Sequence, residues 1–256
     1  MEHGNFTELA KSYHCRPGYS RQVVTMIAKY LGAGRRDFSI VEVGAGTGKL
    51  TGMLIELGFF GIAVEPNDAM RAEGVSTLGE KDNFRWMKGA AENTVLPESS
   101  ADWVIMASSF HWTDKKRALE EFHRILKPGG HFTAMWNPRD LEKSPLQKTI
   151  ENTVYEIAPD IRRVSSGNKE HVAPIDEQLT STGLFEDVIF IEASHEEVMT
   201  RERYLGVWRS VNDIQVQAGE KKFAEIMGEI ERITASMETI TVPYKTRAWT
   251  ARARAQ

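Results

Sequence analysis

Three glycines, at positions 44, 46 and 48, interrupt the run Val41-Glu42-Val43-Gly44-Ala45-Gly46-Thr47-Gly48-Lys49-Leu50. Glycine enters left-handed backbone conformations at little cost and lets a ligand approach the main chain without a Cβ in the way. A helix that starts after such a turn adds unpaired N–H groups and the positive end of its dipole. The loop can therefore cradle a phosphate, a carboxylate or the sugar of a nucleotide. A phosphate-binding P-loop requires Gly at position 43 and Ser or Thr at position 50, where Val43 and Leu50 stand. The dinucleotide fingerprint requires its third glycine at position 49, which is Lys49. What remains is an acid, Glu42, followed by alternating glycines. A second acid, Glu65, closes the next apolar run, Ala63-Val64-Glu65-Pro66. In a strand–helix–strand unit it falls beside the glycine loop, where a carboxylate can accept hydrogen bonds from both hydroxyls of a ribose.

Further candidates follow the later apolar runs. Ser108, Ser109, Phe110, His111 and Trp112 succeed one of them, and Trp136 with Asn137 ends another. His111 either orients an acceptor or takes its proton, or else packs and hydrogen-bonds locally. Tyr13, Arg16 and Tyr19 surround the turn Pro17-Gly18, and Arg16 offers a forked guanidinium to a carboxylate. Tyr204 and Trp208 stand four apart, on one face of a helix, where they form core or a substrate wall; Tyr155 and Tyr244 are weaker candidates of the same kind. Neither His14 with Cys15 nor His111 with His123 has a recognised metal-ligand spacing, so no metal is expected.

These residues need a scaffold that brings them together. Phe38–Val43, Phe59–Val64, Asn83–Lys88, Trp103–Ala107 and His131–Trp136 read as strands. Lys49–Leu57 and Asp68–Val75 read as helices between them, as does a stretch after Asp114 striped by Ala118, Phe122, Ile125 and Leu126 and ended by Lys127-Pro128-Gly129-Gly130. Strands alternating with helices imply an α/β fold with a parallel sheet covered on both faces, and ligands then sit outside the carboxyl ends of the strands. Beyond Asn137 the pattern changes. Helices are expected over Leu141–Pro159, Ile175–Thr182, Arg201–Ser210 and Phe223–Met237, a polar loop over Ser165–Pro174, a strand over Phe185–Ala193 and a last strand or hairpin over Ile240–Ala253. Lys245, Arg247, Arg252 and Arg254 in that last stretch, with no acid among them, read as a solvated sheet edge.

The glycine loop and Glu65, with Tyr13–Tyr19, Gly89-Ala90-Ala91-Glu92, Phe110-His111-Trp112 and Lys127–Gly130, resemble the class I S-adenosylmethionine-dependent methyltransferases. The wider resemblance is to the small-molecule branch that includes trans-aconitate and ubiquinone or menaquinone biosynthetic methyltransferases. It spans about residues 10–137 in the right order. The resemblance implies a Rossmann-like, mostly parallel seven-stranded sheet: residues 1–137 form a lid and cofactor-binding core, and 138–256 supply cap helices and the last two strands. It implies S-adenosyl-L-methionine held by Tyr13, Arg16, Glu42, Gly44, Ala45, Gly46, Thr47, Gly48, Leu50, Glu65, Pro66, Met70, Ala91, Glu92, Ser108 and Phe110. Ala90 stands where related enzymes often have Asp, which leaves the adenine amino contact to Glu92 or the backbone. Tyr19, His111, Trp112, Trp136, Asn137 and Trp208 would face a small-molecule acceptor, with His111 the catalytic candidate and O-methylation favoured over N- or C-methylation.

Composition limits the rivals. The 256 residues are 41% hydrophobic and carry a net charge of −4, which argues against a general nucleic-acid binder. A mean hydropathy of −0.38 with no long apolar run argues against a membrane span. One cysteine and no signal-like N-terminus lead to the expectation of a cytoplasmic protein. An NAD-type oxidoreductase is disfavoured by the position of Gly48 and the lack of a Tyr-x-x-x-Lys pattern. A nucleoside-binding protein without turnover remains a second alternative.

Overall fold

The structure is a computed structural model that describes Thr7 and residues 10–35, 37–79, 83–162 and 174–255, the side chain of Lys11 apart. Seven strands form one sheet: β1 Ile40–Val43, β2 Gly61–Val64, β3 Phe84–Met87, β4 Ala101–Ala107, β5 Leu126–Trp136, β6 Phe185–Thr200 and β7 Thr239–Ala253. Their order is β3-β2-β1-β4-β5-β7-β6. The first five pair in parallel, whereas β7 runs antiparallel to both β5 and β6. The strand order reverses between β1 and β4, the point at which α/β sheets bind ligands.

The helices are α1 Ala10–Tyr13, α2 Arg21–Tyr30, α3 Lys49–Glu56, α4 Asp68–Leu78, α5 Lys115–Ile125, α6 Pro145–Ile157, α7 Ile175–Thr180, α8 Arg201–Arg209 and α9 Asn212–Ile233. Several start where a side chain can satisfy an otherwise unpaired N–H. Asn67 accepts from Ala69 and Met70 to open α4, Asp114 accepts from Arg117 to open α5, and Ser144 precedes Pro145 at the first turn of α6. One face of the sheet packs on α5 and α7 through Phe122, Phe132, Leu179 and Phe185. The other packs on α2 and α3 through Val23, Ile27, Leu50 and Leu54. A third cluster, around Tyr204, Trp208, Ile226 and Ile230, joins α6, α8 and α9 to β6 and β7. No helix among the described residues is long and apolar enough to cross a membrane.

Several boundaries differ from the sequence reading. Lys127–Gly130 does not end α5: Leu126 already pairs with Ala101, and the four residues form an irregularity inside β5 before His131 pairs with Trp103. Lys127 is drawn in by Asp102, 2.6 Å from its Nζ. The last stretch is a single strand, and β6 continues seven residues past Ala193 because each of residues 194–200 finds a partner on β7. The last long helix begins earlier than expected, at Asn212, and is broken at Gly219, whose φ is 71°. The basic residues of β7 do not mark an edge, since β7 lies between β5 and β6. Their charges, with that of Arg254 just past the strand, are matched instead: Lys245 reaches Asp140, Arg247 meets Glu192, and Arg252 and Arg254 meet Glu186. The acids sit on a neighbouring strand or loop, which one-dimensional spacing cannot reveal. The polar loop expected from Ser165 lies outside the described residues as far as position 173.

Candidate functional site

A cavity of about 270 Å³ opens at the carboxyl ends of β1, β2 and β4. Its floor is the glycine loop, which is tied to the end of β2: Gly44 and Ala45 both donate to the Val64 carbonyl, at 2.9 and 3.1 Å. The three glycines do different things. Gly44 and Gly46 have φ of 70° and 60°, and both line the cavity. A Cβ on Gly44 would lie 2.7 Å from Ser109 Oγ. Gly48, with φ of 82°, faces away from the cavity, and a Cβ there would collide with Leu78 and approach Trp86. It is a glycine so that α3 can start against α4, and it lies outside the cavity wall where a cofactor contact was expected.

Glu65 is buried at the cavity wall and accepts from Gly46 N at 2.8 Å and from Asn67 N at 2.9 Å. Burial pushes its carboxyl up from the usual range, while those two bonds and Arg71 pull against it. Each carboxylate oxygen keeps a second lone pair for a ligand hydroxyl. Glu42 is also buried; desolvation and, less strongly, the Glu65 charge raise its pKa to about 8, against the hydrogen bond that Thr51 donates to it. The Thr47 hydroxyl is buried in the same wall and has no hydrogen-bond partner. An orphaned hydroxyl and two buried carboxylates beside an open backbone turn fit a polar, partly cationic nucleoside ligand. Leu50, Pro66, Met70 and Ala91 complete the apolar part of this side. Glu92 also lines it, with one carboxylate oxygen accepting from Asp114 N at 2.8 Å.

The segment expected to act as a lid contributes Tyr13, Arg16, Pro17 and Tyr19 to the cavity lining. Tyr19 donates to Ser108 Oγ at 3.1 Å, and burial pushes its phenol well above the ordinary range. Ser108 has a φ of 56°, a strained conformation for a residue with a side chain. Asn137 Nδ2 donates to the Gly18 carbonyl at 2.8 Å, and Thr246 Oγ1 joins Asn137 to Ser20 N. Arg16 donates to Ser210 Oγ at 2.7 Å and to the Ser210 carbonyl at 2.9 Å.

Trp112 lines the cavity, but four other candidates do not. His111 lies beside it, with Nδ1 accepting from Trp136 Nε1 at 3.1 Å and its ring packed against Trp112. Trp136 is buried against Trp249, Phe110 is buried against Phe132, and Trp208 lies fully buried under the Arg139 guanidinium, 4.1 Å from its ring centre. An aromatic at a strand end or on a helix face has a wide choice of neighbours, and here the core took it. Asn67, Met106 and Thr113 line the cavity without having been singled out. Asn67 carried a signal, since it follows Glu65-Pro66 and caps α4. The described residues contain no cluster of three or more metal-ligating side chains.

The strand order that reverses between β1 and β4, with an acid-bordered glycine turn beneath that point, is an α/β fold of the Rossmann-like methyltransferase type. Residues 41–134 match the methyltransferase domain family. An uncharacterized methyltransferase of Mycobacterium tuberculosis is 36% identical over 129 residues, 49% of this chain and 48% of that protein. The chain therefore spans about half the length of the mycobacterial relatives that it matches. An uncharacterized methyltransferase of Schizosaccharomyces pombe is 25% identical over 93% of this chain and 91% of its own. A solved structure from Anaeromyxobacter dehalogenans, assigned there to the type II methyltransferases, superposes with a TM-score of 0.65 at 22% identity, over 94% of this chain and 99% of that one. The chain carries a methyltransferase domain over residues 41–134 and is similar to methyltransferases in sequence and fold.

Proposed function

We propose that the protein transfers a methyl group from S-adenosyl-L-methionine to a small-molecule acceptor, with an oxygen as the acceptor atom. The observation that carries the reading is the joint placement of Glu65, Gly46 N and the orphaned Thr47 hydroxyl on one cavity wall. When bound, the cofactor supplies a sulfonium-activated methyl group, so the protein has mainly to align an acceptor and exclude water. Glu65 would accept from the ribose hydroxyls while its bond to Gly46 fixes the loop. Glu42, which burial keeps largely protonated in the ligand-free protein, would give up that proton to balance a cationic group, and Thr47 would take up a carboxylate or amino group. Ala91 and Glu92 would border the base. On the acceptor side Tyr19, Ser108 and Asn137 present hydroxyl and amide groups suited to holding an oxygen nucleophile. His111, turned toward Trp136, positions Trp112 at the cavity edge, and we assign it no proton transfer.

Calorimetry with S-adenosylhomocysteine and with NAD tests the cofactor, since binding of NAD alone would overturn the reading. Transfer of labelled methyl from the cofactor into a deproteinised metabolite extract tests turnover; binding without any labelled product would favour a non-catalytic nucleoside-binding protein. Replacing His111 by Ala should leave the pH dependence of turnover unchanged, and loss of the acidic limb would restore it as a base.

A further inference from the structure

Behind the lid lies a group of buried hydrogen-bond donors that the cofactor reading does not use. Arg139 follows β5, forms an isolated bridge with Tyr244 of β7, and lays its guanidinium over Trp208. Its Nε is buried and has no acceptor. The Tyr244 hydroxyl is buried against the Arg139 side chain, and Nε2 of Gln147, whose Oε1 accepts from Tyr204, is buried without a partner. Arg16 reaches the same place from the lid: it and Arg139 are the two cations that act on the Tyr244 phenol. Of the acids nearby, Asp140 pairs with Lys143 and Lys245, and Glu197 pairs with Arg203. Neither Arg16 nor Arg139 forms an ion pair among the described residues. Buried donors without acceptors cost free energy, and two unmatched guanidiniums beside them raise that cost unless a ligand supplies the acceptors.

Arg16 belongs to the cavity wall, and Arg139 lies two residues beyond Asn137, another wall residue. We propose that Arg139, Tyr244 and Arg16 form an anchoring site for a carboxylate of the acceptor. This deepens the transferase reading and rests on it. A carboxylate suits the site because it accepts a forked pair from guanidinium and a further bond from a phenol. Lone pairs tied to two guanidiniums are poor nucleophiles, so the anchored carboxylate is held and is not the group methylated. A second atom of the acceptor attacks: its lone pair forms the bond to the methyl carbon as the carbon–sulfur bond breaks, and the electron pair returns to sulfur. A proton on the attacking atom passes to solvent. The product therefore keeps the negative charge by which the acceptor was anchored.

The test uses the full chain, labelled S-adenosylmethionine and a deproteinised metabolite extract, with products separated on an anion exchanger at neutral pH. The labelled product should be retained. Its formation should fall by ~10-fold to ~100-fold in Arg139→Gln, by less in Tyr244→Phe, and be partly restored in Arg139→Lys. The loss should appear in KM for the extract fraction more than in kcat, with S-adenosylhomocysteine affinity within about twofold of the parent. Tyr244→Phe removes one oxygen and no packing, so it still reports if Arg139→Gln folds poorly. An unretained labelled product, or a retained one formed equally well by Arg139→Gln and Tyr244→Phe, would overturn the anchor while leaving the transferase reading standing. Absence of any labelled product, with S-adenosylhomocysteine still bound, would overturn both.

Discussion

The two walls of the cavity are sewn together over very different distances along the chain. On the glycine-loop side, Gly46 meets Glu65 across 19 residues, and Glu65 meets Asn67 across two. On the lid side, Asn137 reaches Gly18 across 119 residues, Arg16 reaches Ser210 across 194, and Ser20 reaches Thr246 across 226. The first wall is a local strand–turn–helix–strand unit whose backbone donors and acids are fixed once the unit forms. The second exists only after the whole sheet has closed. The physical consequence is a division of labour. Local geometry fits one recurring ligand, and distant segments of the chain shape the half in which the acceptor would lie.

Substitutions can break this contrast, and the largest effect is expected at Gly44. Gly44→Val forces a branched residue into a left-handed φ and drives its Cβ into Ser109. We expect a loss of about 1–3 kcal/mol from the backbone alone, read as a lower melting temperature, together with loss of measurable S-adenosylhomocysteine binding. A variant that melts and binds like the parent would refute the close packing of this wall.

Glu65→Ala comes next. It removes the acceptor of the Gly46 and Asn67 amides and of the proposed ribose contact, with hydrogen bonds to a charged group worth ~1.5–3 kcal/mol each. S-adenosylhomocysteine affinity should fall by about two orders of magnitude in calorimetry, with Glu65→Gln intermediate.

A smaller effect concerns pH. The Glu42 carboxyl is raised from 4.5 to about 8 by burial, so the folded protein holds this proton more tightly than the unfolded chain. Its contribution to stability is full below about 4.5 and is lost as pH rises through about 8. Denaturant melts of the ligand-free protein should show this decline, and Glu42→Gln should flatten it. A parent whose Glu42-dependent stability instead rises over that window would contradict the burial.

The smallest change is expected on the far strands. Arg247 meets Glu192 at 2.9 Å and lies over Phe190 and Trp249. Arg247→Ala should cost about 1 kcal/mol in denaturant melts and leave cofactor affinity untouched. An affinity loss there would mean that the two walls are coupled more tightly than their separate stitching indicates.

Much of the first wall was legible in the residues themselves. The spacing of Gly44 and Gly46, the acid at the end of the next strand and the cap at Asp114 are short-range features, and the structure forms each of them locally. Gly48 shows the limit even there: its glycine answers to Leu78 and Trp86, neighbours that the loop sequence does not contain. The second wall was legible only as a set of candidates. Tyr13, Arg16, Tyr19 and Asn137 line the cavity, whereas His111, Trp136 and Trp208 went to packing, since an aromatic or imidazole ring suits either environment equally.

The sequence by itself determined the alternation of strands and helices, the glycine turn and its two acids, because these depend on backbone conformation and on residues a few positions apart. Tertiary structure alone decided that β7 would enter between β5 and β6, which acids would neutralise its arginines, and which guanidiniums would be left unmatched behind the lid. Those outcomes depend on which side chains, more than a hundred residues apart in the chain, come within a few ångströms when the sheet closes. Charge and burial act on distance in space, and the order of residues does not specify that distance until the fold is complete.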